Sequence, residues 1–150
     1  MTRYFEDIAV GDTTTHGSYT VTKDEIIEFA EQYDPQPFHT DPEAARESMF
    51  GGLAASGWHT AAVCMRLLVE TMERDDWASK GARGIDELRW IRPVRPGDEV
   101  AIEIEVVEKR ERDEPGIGEV DSRLTGYVDD EPVISWIGLG LVATRAAAGD

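Results

Sequence analysis

One cysteine, Cys64, stands in the whole chain. That excludes an intramolecular disulfide and any cysteine-rich zinc site. Set in AAVCMRLLV, Cys64 reads as a small buried apolar residue rather than a nucleophile. Long apolar runs are missing too, and none approaches the roughly 20 residues that a membrane-spanning helix needs. The opening MTRYFEDIAVGD carries charge where a secretory leader would carry its apolar stretch, so a cytoplasmic location is expected. Basic residues are scarce: 15 Lys and Arg face 31 Asp and Glu, a formal net charge of −16. Nucleic acid and anionic membranes attract basic surfaces, so neither is expected as a partner.

What is present fits one globular unit. A length of 150 residues predicts a single domain spanning 1–150, and a hydrophobic fraction of 41% is enough for a real core. A Thr-rich strand is predicted from Thr13 to Val21. A helix follows at once, because Thr22 is a good N-cap and Glu25 stands at the capping-box distance. Ile26, Phe29, Ala30 and Tyr33 then recur at helical spacing. Asp41 and Pro42 open a second short helix as N-cap and first residue. Glycine-rich FGGLAASG leads into WHTAAVCMRLLVETMERDDW, apolar enough to be a buried helix.

The second half is strand-like. Runs from Gly84 to Arg92, Glu99 to Arg112, Glu119 to Tyr127 and Val133 to Thr144 are rich in Val, Ile, Trp and Thr. Turn signals RPGD, EPGIG and DDEP separate them, predicting an antiparallel meander. Helices first and strands afterwards give an α+β layout, one sheet wrapped around a long helix. The terminal AAAGD is expected to fray.

The stiffest segment is YDPQPFHTD, Tyr33 to Asp41. Each proline fixes φ and lacks an N–H, so regular helix or strand is not expected across it. Three uses are open to Asp34, His39 and Asp41: a cap, a metal, or proton transfer. Asp41 already serves as a cap, and no H-x-x-x-H or H-E-x-x-H pattern accompanies the segment. A carboxylate and an imidazole on a braced turn suit general acid–base work on a shared water. Ser56 lacks the G-x-S-x-G elbow of a hydrolase nucleophile. Gly57, at the mouth of the apolar helix, either donates a free N–H to an oxyanion or simply permits close packing.

DPQPFHTDPEAA resembles the hydratase-2 motif of the MaoC-like dehydratases, the (R)-specific enoyl-CoA hydratases. The glycine-led apolar helix and LRWIRPVRPGDEV are similar to the central helix and a strand–turn–strand segment of that group. The resemblance implies a hot-dog fold and a hydro-lyase that hydrates a trans-2-enoyl-CoA to an (R)-3-hydroxyacyl-CoA. It implies Asp34 and His39 as the catalytic pair and Gly57 as the oxyanion donor. Gln36 stands where the family has Asn, and Trp58 and His59 follow the glycine, where they either shape the acyl pocket or simply pack. No cofactor is implied, the CoA thioester being the substrate. A homodimer, or a dimer of dimers, is implied as the assembly. Arg89, Arg92 and Arg95 are the candidate cations for the nucleotide phosphates.

Overall fold

A computed structural model describes residues 1–148. Its order is a 3-10 turn at Phe5–Asp7, then β1 (Thr13–Thr20), α1 (Lys23–Tyr33), α2 (Pro37–Thr40), α3 (Pro42–Arg46), α4 (Gly57–Arg74), β2 (Ser79–Trp90), β3 (Glu99–Glu111), β4 (Ile117–Val128), β5 (Glu131–Ala143) and α5 (Arg145–Ala148). The expected fraying of AAAGD falls in part on Gly149 and Asp150, outside the described residues. None of the described helices is long and apolar enough to cross a membrane.

Both N-caps form: Thr22 accepts from the Glu25 backbone N–H, and Asp41 accepts from those of Glu43 and Ala44. The reciprocal half of the capping box does not, because the Glu25 carboxylate accepts from the Tyr19 hydroxyl instead. One local expectation is corrected: Pro37–Thr40 is a helical turn. Pro37 takes its first position, where a missing N–H costs nothing and the fixed φ suits the helix.

The five strands form one antiparallel sheet in the order β1-β3-β4-β5-β2. Only β3, β4 and β5 are a meander. β2 precedes β3 in the chain yet pairs with β5 at the far edge, and β1 takes the other edge on β3. The RPGD turn, with Gly97 at φ +90, turns the chain into β3 after β2. β2 begins earlier than predicted, at Ser79, because its residues do not alternate. Its register against β5 shifts at three places, and Gly81, Gly84 and Glu87 take positive φ there.

α4 lies on the sheet through Val63, Cys64, Leu67 and Thr71, all buried on one face. These meet Val100, Ile102 and Ile104 of β3, Leu124 of β4, and Ile134 and Trp136 of β5 in a single core. Burial pushes the Cys64 thiol up to about 12, which removes it as a nucleophile at neutral pH.

Candidate active site

α1 ends at Tyr33, and Asp34 follows as its C-cap with a backbone outside the helical region (φ −155, ψ 66). α2 then carries His39 back toward it, so the two prolines close a short loop with both side chains on its inner side. His39 Nε2 lies 3.4 Å from Asp34 Oδ2. The His39 ring is buried, and its Nδ1 stands 2.6 Å from the Ala54 carbonyl. A carbonyl only accepts, so Nδ1 carries the proton, and Nε2 is left to exchange one with a water.

Asp34 is held by more partners than its neighbours in sequence suggest. Ser56 Oγ donates to Oδ2 at 2.7 Å, and Gln36 Nε2 donates to Oδ1 at 2.7 Å. Burial pushes the Asp34 carboxyl up, but these two hydrogen bonds and the His39 ring outweigh it, and the net is below the ordinary carboxylate value. Asp34 is therefore an anion at neutral pH that accepts from water. Gln36, one methylene longer than Asn, uses its reach to brace the carboxylate.

Ser56 caps α4, fully buried, and also accepts from the Trp58 N–H. It was weighed above only as a nucleophile; a Ser immediately before an apolar helix was a legible cap signal. Gly57 is the first residue of α4, where a backbone N–H has no intrahelical partner. Among the described residues its N–H has none elsewhere. The packing reading of this glycine also holds. A Cβ placed on Gly57 would fall 2.3 Å from Cε2 of Trp90.

Asp34, Gln36, His39, Gly57, Trp58 and Trp90 line one cavity of about 720 Å³. That volume suits a small-molecule ligand. Trp58 is 56% exposed and stands edge-to-face with Trp90, ring centroids 5.2 Å apart. The structure turns His59 away from this cavity. Its ring is buried flat against Phe29 of α1, 4.8 Å between centroids, and burial lowers its pKa while Glu25 opposes the shift. Arg95 also lines this cavity, but its guanidinium is occupied by the backbone. It donates to the carbonyls of Phe50, Gly52 and Leu53, tying the segment before α4 to the β2–β3 turn. Arg92 lines the cavity while paired with Glu131. Arg89 bonds its neighbour's carbonyl.

The depressed Asp34 pKa has a stability consequence. A carboxyl whose folded pKa is below its unfolded value stabilises the fold above that unfolded value, about 3.9, and the contribution is lost as pH falls through the folded pKa. Gln36→Leu removes one donor and raises the folded pKa. The variant is expected to melt below the parent at pH 7, with the gap closing below about pH 4. A gap that stays constant across that range would mean Gln36 does not stabilise the anion.

A sheet curved about one helix, with a carboxylate–imidazole pair held at that helix's first turn, is a hot-dog protein of α+β class. The MaoC-like domain model matches residues 7–128, and the chain belongs to that family. An uncharacterized Bacillus subtilis protein, YdeM, is 34% identical over 113 residues, covering 75% of this chain and 79% of its own. The crystal structure of a MaoC-like dehydratase from Rhodospirillum rubrum is 40% identical with a TM-score of 0.86, covering 95% of this chain and 98% of that one. A monoamine oxidase regulatory protein from Archaeoglobus is 30% identical, with a TM-score of 0.87 and 96% of each chain covered. An (R)-hydratase from A. caviae involved in PHA biosynthesis shares the fold at 24% identity and a TM-score of 0.68, covering 90% of this chain and 97% of that one.

Proposed function

We propose that this chain, acting as one domain in the cytoplasm, adds water to the double bond of a trans-2-enoyl-CoA and removes it in reverse. The observation that carries the reading is the pair itself. His39 Nδ1 is committed to Ala54 and Asp34 is held ionised, so Nε2 and the carboxylate share the task of binding one water beside the Gly57 N–H.

In the forward direction Asp34 accepts one hydrogen of the water and His39 Nε2 takes the other as a proton. The water oxygen bonds C3, the π pair moves to C2, and negative charge develops on the thioester oxygen. The Gly57 N–H and the N-terminus of α4 face that charge. His39 then returns its proton to C2. Oxygen and proton come from the same water on the same face, giving syn addition and an (R)-3-hydroxyacyl-CoA. No metal or further cofactor takes part, so activity should survive exhaustive chelation.

Incubation with a panel of trans-2-enoyl-CoAs tests the reading. Loss of enoyl absorbance without release of free CoA is the expected result. Release of free CoA would make the protein a thioesterase, and neither change would leave a non-catalytic acyl-CoA-binding module.

The assembly is proposed as a homodimer, or a pair of dimers, joined through β2. That strand is an edge with one unpaired side, the kind of edge proteins avoid leaving open. Ile85 within it and Ile91 just after it, with Met65 and Val69 on α4, are large exposed apolar residues. Light scattering should give twice the chain's mass, and the double change Ile85→Lys, Met65→Glu should halve it. A parent chain that is monomeric at micromolar concentration would reject the interface.

A further inference from the structure

We propose that Trp90 determines which acyl groups this site accepts, restricting it to enoyl thioesters that are unbranched at the α-carbon. The inference rests on the hydratase reading and deepens it.

Two consecutive residues carry the two walls of the reacting region. Ser56 Oγ holds the Asp34 carboxylate, and Gly57, the next residue, carries the Trp90 indole. The three ring atoms nearest the missing Cβ of Gly57 are Cε2 at 2.3 Å, Cδ2 at 2.6 Å and Nε1 at 2.6 Å. The indole thus fills the volume that any side chain at that position would take. Trp90 closes β2 in register with Ile134 of β5, and its half-exposed indole packs edge-to-face with Trp58.

A thioester oxygen that accepts from the Gly57 N–H lies about 2.9 Å from that nitrogen. C3 of the same substrate must meet the water at Asp34 and His39, while the Trp90 indole occupies the space beside Gly57 in the same cavity. The α-carbon is the atom between those two constraints, so a methyl group on it is the substituent that meets the ring. Chain length is a separate matter, because Tyr33 and Met49 line the same cavity and are exposed, leaving that side of it open.

The test compares kcat/KM for trans-2-butenoyl-CoA, trans-2-octenoyl-CoA and 2-methyl-trans-2-butenoyl-CoA in the parent, Trp90→Phe and Trp90→Ala. The parent is expected to disfavour the 2-methyl substrate by about 10-fold or more, the scale on which a pocket rejects one extra methyl. Trp90→Ala should shrink that ratio at least about 10-fold by improving the branched substrate, and Trp90→Phe should keep most of it. The ratio of octenoyl to butenoyl rates should not move. A parent that accepts the 2-methyl substrate equally, or a Trp90→Ala ratio that is unchanged in a protein melting like the parent, overturns the inference alone. If the parent hydrates none of the three, the hydratase reading falls and takes the inference with it.

Discussion

Asp34→Asn and His39→Ala are each expected to slow hydration of a trans-2-enoyl-CoA by at least about 10²-fold, the scale of lost acid–base catalysis. The two losses have different causes. Asn keeps the shape at position 34, and one oxygen still accepts from Ser56 or Gln36, but the negative charge that orders the water is gone. Ala at position 39 removes the proton carrier and leaves the Ala54 carbonyl without its partner. A lower melting temperature is therefore expected for both at pH 7, the first because it loses the anion that Ser56 and Gln36 stabilise and the second because it loses the Ala54 hydrogen bond. His39→Gln, which retains bulk and a donor, separates the two effects: it should recover stability without recovering rate. Because both residues serve one water, the double variant should be little slower than either single one. Near-parent rates in folded Asp34→Asn and His39→Gln proteins would end the dyad assignment.

The second large effect is on stability. Leu67→Ala is expected to cost about 2–5 kcal/mol, the range for removing a buried leucine with partial collapse of the cavity. Leu67 is 1% exposed and packs with Val63, Cys64 and Ile134 where α4 meets the sheet. For a chain of this size each kcal/mol lowers Tm by about 2–4 °C. A calorimetric scan should show the drop, while kcat/KM measured well below the transition stays near that of the parent, since Leu67 does not line the cavity. A Tm shift under about 2 °C would mean that α4 does not anchor the core as described.

The contrast between these variants follows a division in what the sequence made legible. Caps are local, so Thr22 with Glu25 and Asp41 with Pro42 were readable from a few residues. β3 alternates cleanly because one face is buried along its length. β2 was cut short in the reading because its positive-φ glycines and register shifts erase the period that identifies a strand. Pairing order is non-local, and nothing in LRWIRPVRPGDEV says that its strand leaves β3 for the far side of β5. The site divides in the same way. Asp34, His39 and Gly57 were visible as a motif and a helix start. Trp90 was not, because its place over Gly57 depends on that same pairing. Which of its two readings holds for His59 is not legible in the sequence, since ring direction on α4 depends on how Phe29 of α1 packs beside it.

Arg95 bears on the order of events when the chain folds. Its guanidinium joins three carbonyls of the segment that also supplies Ala54 and Ser56, the partners of His39 and Asp34. The helices around the dyad form from neighbouring residues and need little loop closure. The clasp that sets their partners closes only after the chain has reached the turn before β3, and Trp90 is fixed only when β5 arrives from still later in the sequence. Contacts of such separation form slowly. A nascent or refolding chain therefore acquires helix early and the complete cavity late, and a fragment ending before β5 carries the whole Asp34–His39 segment without the strand that holds Trp90 in place.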